Sequence, residues 1–205
     1  MLAGTNGAGK SSIAGAMFLA HGVEYFNPDV AAREITSRNP GISQVEANSA
    51  AWQEGKRLLE RAIVEKLDFA FETTLGGRTI TGLLEKALAE GIEVRIWYVG
   101  LVTVERHIAR VKSRVRQGGH PIPEERIRER YVQSRLHLIR LRPKLTELLL
   151  YDNSEEADPG AGMTPEPKLL LHLVGGRIKR WCDPFEVPEW AKSIVAAAMT
   201  LGAKG

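Results

Sequence analysis

Three glycines, a lysine and a hydroxyl residue fall close together in Gly4-Thr5-Asn6-Gly7-Ala8-Gly9-Lys10-Ser11-Ser12. Gly4, Gly7 and Gly9 open backbone conformations closed to other residues, so successive N–H groups can turn inward onto phosphate oxygens. Lys10 can reach the β- and γ-phosphates of a nucleotide, and the Ser11 hydroxyl can ligate Mg²⁺. A helix starting at Ser11 adds its positive end. The run from Gly4 to Ser12 is therefore expected to bind a nucleoside triphosphate. A glycine-rich turn before an ordinary helix is the plainer alternative. No Asn/Thr-Lys-x-Asp guanine-specificity run occurs in the chain, which argues against GTP and leaves ATP as the expected cofactor.

A second set of residues could carry the chemistry of transfer. Asp29, in Asn27-Pro28-Asp29, is placed to take a proton from a hydroxyl or to help position Mg²⁺. The alternative is an acidic residue favoured by the positive end of a helix. Glu72, Thr73 and Thr74 close the run Phe71-Glu72-Thr73-Thr74 and could grip a polar acceptor, or could simply satisfy turn backbone. Arg78, after Gly76-Gly77, is a candidate for an anionic part of that acceptor.

Between Glu105 and Lys144 twelve Lys/Arg residues face four acidic ones. Arg110 and Arg114 are four apart, as are Arg126 and Arg130, so each pair shares a helix face. With Gly118-Gly119-His120 between them, two arginine-bearing helices read as a lid closing over a triphosphate. Arg110 and Arg114 are then expected on the nucleotide, where an arginine stabilises charge developing on a transferring phosphoryl group. A solvated helix face and a nucleic-acid surface are the other readings of such a stripe.

Composition narrows the setting. The chain has 205 residues, 43% hydrophobic and 26% charged, with net charge +3. This is ordinary for a globular chain able to bury a core. No apolar run approaches the roughly 20 residues that span a membrane, and no secretory signal is visible. The lone Cys182 excludes an intrachain disulfide, so a reducing, cytoplasmic setting is expected. The five histidines are scattered, without zinc spacing. His120 alone has a functional case, set against that of an ordinary surface histidine. The four tryptophans are expected to pack rather than to offer stacking platforms.

The elements that must position these residues alternate β-like runs with helical ones, which predicts a parallel sheet covered by helices. Strands are expected at 23–26, 68–72 and 92–99, with a possible strand end at 148–152. A last strand over 169–174 is expected to hairpin with 177–181. Helices are expected at 11–20, 30–35, 43–66, 79–90, 103–117, 123–141 and 189–199, and an exposed loop over 154–167. A phosphate loop normally follows a buried strand of about five residues. Here only Met1-Leu2-Ala3 precede Gly4, so either that strand is very short or the chain begins upstream.

Taken together these runs resemble the zeta toxin family of P-loop kinases, in its small predicted-ATPase branch. The resemblance rests on the phosphate loop, Phe26-Asn27-Pro28-Asp29-Val30-Ala31-Ala32-Arg33, Phe71-Glu72-Thr73-Thr74-Leu75, the segment from Arg110 through Arg114 to Gly118-Gly119-His120-x-Ile122-Pro123, and Tyr151-Asp152-Asn153-Ser154. It implies a P-loop NTPase-type three-layer α/β/α fold with a mostly parallel sheet, read as one domain over 1–205. The lid would lie at about 105–145, and a C-terminal strand and helix over 168–205. It further implies phosphorylation of a hydroxyl on a UDP-amino sugar, typically UDP-N-acetylglucosamine. Asp29 would be the general base, Lys10 would lie on the phosphates, Glu72 and Thr73 near the acceptor, and Arg114 would reach over from the lid. A small antitoxin protein is the implied partner, with neither membrane nor nucleic acid expected. The chain departs from the better-known members in carrying His120 where they have a second lid arginine. A kinase of a nucleoside, dinucleotide or other small metabolite, a nucleic-acid-associated ATPase and an idle nucleotide-binding module are the alternatives.

Overall fold

The structure, a computed structural model, describes residues 1–11, 13, 24–155 and 166–202. Its centre is a six-stranded sheet in the order β2-β1-β3-β4-β5-β6. The strands are β1 (Leu2–Ala3), β2 (Glu72–Thr73), β3 (Arg95–Gly100), β4 (Glu147–Asp152), β5 (Lys168–Val174) and β6 (Arg177–Trp181). The first four pair in parallel; β4–β5 and β5–β6 are antiparallel. The sheet is thus mostly parallel, as expected, with the expected hairpin added at one edge.

Side-chain alternation along the strands builds two cores. Ala3, Ile96, Tyr98, Leu148 and Leu150 turn to one face and are buried there. Against them pack Leu59 and Ile63 of α2 (Gln44–Glu65), Leu84 and Ala87 of α3 (Arg78–Ala89), Leu138 and Leu141 of α5 (Glu124–Leu141), and Trp190 and Ile194 of α6 (Glu189–Gly202). Leu2 and Val99 turn to the opposite face, where Trp97, Tyr151 and Ile13 cover them. Ile13 lies in the helical segment entered at Lys10, so helical residues lie on both faces of the sheet.

Local chemistry sets the helix ends. Asn27 caps α1 (Pro28–Arg38), its Oδ1 accepting from Asp29 N at 2.9 Å and Val30 N at 3.3 Å. Ser43 and Glu46 form a reciprocal capping box at the start of α2. Thr103 caps α4 (Val104–Arg116) by accepting from Arg106 N at 3.2 Å. Helices α1 and α2 form a hairpin whose contact is made of Ala32, Ala47 and Ala51, small enough to let the backbones approach closely.

Several expectations are corrected in detail. The stretch expected as a strand at 23–26 contributes, within its described part, only a single parallel bridge from Phe26 to Phe71. The strand expected at 68–72 pairs regularly only at Glu72 and Thr73. The possible strand end at 148–152 is a full strand, because Leu148 and Leu150 fill the core. Strand β1 pairs with β2 on one side and with β3 on the other. Most of the expected helix over 11–20 and the loop over 154–167 lie outside the described residues, as does Ser12.

Gly100, the last residue of β3, lies against the Trp190 ring, where an added Cβ would come within 2.5 Å of Cζ3. Gly100→Ala is therefore expected to cost about 1–3 kcal/mol through overpacking, read as a lowered midpoint in urea unfolding.

Candidate active site

The phosphate loop is shaped by carbonyls pressing on it from both sides. Gly4 (φ +140°) lies against the Val99 carbonyl, and Gly7 (φ +81°) lies where a Cβ would come 2.5 Å from the His107 carbonyl. Both φ values fall where side chains are strained, so glycine is required twice over. Behind the loop, the His107 ring of α4 meets the Asn6 carbonyl through Nδ1 at 2.8 Å. A carbonyl only accepts, so Nδ1 carries the proton. Asn153, just past β4, donates from Nδ2 to the Ala8 carbonyl at 2.8 Å. Asn153, part of the Tyr151-Asp152-Asn153-Ser154 run, thus braces the loop directly.

At the mouth of the loop one carboxylate gathers three groups. Glu72, at the start of β2, accepts from Ser11 Oγ at 2.9 Å and from Asn27 Nδ2 at 3.1 Å, and pairs with Lys10 Nζ at 3.5 Å. Lys10 is only 6% exposed, and its Nζ also donates to the Thr5 carbonyl at 3.4 Å. The Ser11 hydroxyl and the Glu72 carboxylate are oxygen groups of the kind that could ligate a divalent cation on the phosphate side of the loop. Thr73 and Thr74 follow Glu72, their hydroxyls accepting from the Leu75 and Gly76 amides.

Asp29 sits at the first turn of α1, with Arg114 Nη1 at 3.4 Å and His120 Nε2 at 4.0 Å. Arg114 Nε and Nη2 are buried without a hydrogen-bond partner among the described residues. Buried guanidinium donors fit an anionic oxygen group. Arg130 of α5 donates from Nη1 to Asn6 Oδ1 at 2.8 Å, and burial pulls its guanidinium below the usual arginine value. Arg110 Nη2 holds the Asn153 carbonyl at 2.9 Å. Other basic side chains of the stripe are occupied outside this group: Arg128 with Glu105, Lys112 with Glu124, and Arg140 with Glu85.

These residues line one cavity of about 710 Å³, within the size range of small-molecule sites. Asn6, Gly7, Gly9, Lys10 and Ser11 form one side; Asp29, Glu72, Thr73 and Thr74 another; Arg110, Arg114, His120 and Arg130 hang over it. Gly4, Thr5 and Ala8 lie behind this surface as the loop's support, with Thr5 and Ala8 buried. Arg78 is not brought in: it is exposed at the start of α3, while Thr79 and Ile80 line the wall instead. His120 lines the cavity rather than an outer surface, contrary to the plainer reading. Sequence reasoning also missed the wall supplied by α2, which includes Asn48, Trp52 and Lys56.

A phosphate loop at the end of a parallel strand, with helical residues on both faces of the sheet, defines a P-loop-type α/β protein. No family model matches the chain. It is 34% identical over 129 residues to an uncharacterised protein of Haemophilus influenzae, covering 62% of this chain and 88% of that protein, and it belongs to the same family. Among solved structures it resembles a chain in the crystal structure of AvrRxo1-ORF1:-ORF2 with ATP, at TM-score 0.64 and 18% identity over 96% of this chain. It spans 62% of the length of that neighbour. A candidate kinase from Chloroflexus aurantiacus matches at TM-score 0.54 and 15% identity, over 78% of this chain and 91% of its own. These structural likenesses establish a shared fold. No helix among the described residues is long and apolar enough to cross a membrane.

Burial lowers the His107 imidazole from 6.5 to about 4. The unfolded chain takes up this proton near pH 6.5 and the folded chain near pH 4. Stability contributed by neutral His107 is thus complete above pH 6.5 and lost as the pH falls toward 4, by up to ~1.4 kcal/mol per pH unit. Urea unfolding across this window is expected to show a proton-linked loss that His107→Asn removes; identical pH slopes for the two proteins would contradict it.

Proposed function

We propose that the chain is an ATP-dependent kinase that transfers the γ-phosphoryl group to a hydroxyl of a small acceptor. The observation carrying this reading is that Asp29 shares a cavity with Lys10 while lying 3.4 Å from Arg114 Nη1. A carboxylate that can take a proton thus stands beside a cation that can meet a phosphoryl group. A nucleotide-binding loop alone would need neither.

In this reading the Gly4–Ser12 backbone and Lys10 hold the phosphates. Ser11, with Glu72 beside it, would hold Mg²⁺, which would supply charge neutralisation during transfer. Asp29 takes the proton of the acceptor hydroxyl as its oxygen bonds to the γ-phosphorus and the bond to the bridging oxygen of ADP breaks. Arg114, its buried Nε and Nη2 otherwise unused, meets the charge on the transferring group. Arg110 supports the nucleotide side, and Thr73 and Thr74 face the acceptor. The segment at about 105–145 acts as a lid on a single domain.

The acceptor proposed is a UDP-amino sugar of the UDP-N-acetylglucosamine type, supported by the resemblance of the loop, the Asn27-Pro28-Asp29 run and the Gly118-Gly119-His120 tip to zeta toxins. The same resemblance supports a small antitoxin protein as partner. AvrRxo1-ORF1 was crystallised with AvrRxo1-ORF2 and with ATP, which is consistent with a nucleotide-binding member of a protein pair.

The test is incubation with Mg·ATP and a panel of UDP-sugars, nucleosides and dinucleotides, read by mass spectrometry. One phosphorylated acceptor is expected. Asp29→Asn is expected to slow its formation about 10²–10⁴-fold while retaining ATP binding by calorimetry. Full transfer by that variant would sink the base assignment, and ATP turnover with no phosphorylated product would sink the kinase reading.

A further inference from the structure

The wall supplied by α2 has no part in the chemistry just described, yet its composition is unusual for a cavity rim. Asn48, Trp52 and Lys56 are spaced four apart, so they share one helix face, and all three line the cavity that holds Lys10 and Asp29. Trp52 is 41% exposed, whereas Trp190 is 2% exposed and serves the core. An indole left open inside a cavity offers a flat apolar face to a ligand.

The surroundings of Trp52 fit the same use. Phe26 and Phe71 line the cavity with it, and Ile80 adds an apolar side chain. At Gly55, an added Cβ would fall 2.6 Å from the Phe26 ring, so glycine lets α2 settle directly onto that floor. Among the described residues Lys56 pairs with Glu60 at 3.0 Å, a partly exposed i,i+4 contact. Such partly exposed pairs are weak, so an incoming phosphate can draw the ammonium away. A planar apolar surface one helical turn from a cation, with the Asn48 amide on the other side, matches a heteroaromatic ring carrying a phosphate.

We infer that Trp52 and Lys56 of α2, with Asn48 beside them, are specificity-determining residues for the nucleotide part of the proposed acceptor, its ring stacked on Trp52 and its phosphate on Lys56. The inference rests on the kinase reading for the role of the bound molecule. Binding itself can be measured without any transfer.

The donor site is first saturated with a non-hydrolysable ATP analogue and Mg²⁺, and UDP is then titrated by calorimetry into the full-length protein. Ribose 5-phosphate serves as the probe without an aromatic ring. UDP is expected to bind, ribose 5-phosphate at least tenfold more weakly, and Trp52→Ala to weaken UDP on the order of tenfold or more. Trp52→Phe, which keeps a stacking face, should stay within about threefold of the wild type, and Lys56→Gln should weaken UDP but not uridine. Trp181→Ala, exposed and outside the cavity lining, should leave UDP affinity unchanged. Equal UDP affinity in wild type and Trp52→Ala, or no UDP binding, would overturn the proposal. So would a single-stranded oligonucleotide binding far more tightly than UDP through Trp52. Trp52-dependent UDP binding without any phosphorylated product would instead refute the kinase reading alone, and transfer indifferent to Trp52 would refute this inference alone.

Discussion

The Val99 and His107 carbonyls press on the phosphate loop from the β3 side and from α4, at Gly4 and Gly7 respectively. A loop held this way cannot relax toward ordinary φ values, so its amides stay turned toward the space that phosphate would fill. The supports are themselves buried or braced. His107 sits neutral behind Asn6, and Asn153 ties the Ala8 carbonyl to the end of β4. Asn153 in turn is held by Arg110. Just beyond, Asp152 accepts from Trp190 Nε1 at 2.9 Å and from Ser154 Oγ at 2.7 Å. The loop is thus shaped by its neighbours, while β1 delivers Gly4 between β2 and β3.

The cationic groups of the site are likewise prepared before any ligand arrives. Lys10 lies on Glu72, Arg114 on Asp29 and Arg130 on Asn6. Each partner comes from a different part of the chain, so the contacts also hold α4, α5, α1 and the phosphate loop in one arrangement. Half-buried charges are expensive to leave unpaired, and these pairings lower that cost. They also make binding an exchange of partners. A phosphate that takes Lys10 or Arg114 replaces a carboxylate contact at longer than ideal hydrogen-bond distance, so little is lost in the swap. Preorganised donors of this kind need small reorganisation when charge develops on a phosphoryl group.

Much of this was legible in the sequence where spacing and geometry are locked together. The glycine positions of the loop, the helix opening at Asn27-Pro28-Asp29 and the arginines at helical spacing are local patterns, and local patterns survive folding. The hairpin of β5 and β6 was legible as well, because Gly175-Gly176 separates two β-like runs. The short strands were not, because Phe26 and Glu72 pair over one or two residues only, too few to leave a period in the sequence.

The α2 wall was illegible for a different reason. The sequence offers Ala47, Ala51, Leu58, Ala62 and Val64 as the apolar positions of this helix, whereas the structure buries Ala47, Ala51, Leu59, Ala62 and Ile63 and leaves Val64 exposed. Trp52 falls beside that stripe, where an aromatic is ordinarily a packing residue. Its exposure depends on where the cavity edge runs, and that edge is set by Phe26 and Phe71, distant in sequence from α2. Gly55 is the one local sign, since a glycine in mid-helix costs about 1 kcal/mol relative to alanine and so asks for a reason. The reason is the Phe26 ring lying against it. A helix glycine facing an aromatic from another segment marks where two elements approach closely, and the residues flanking it on that face border whatever space the approach leaves open.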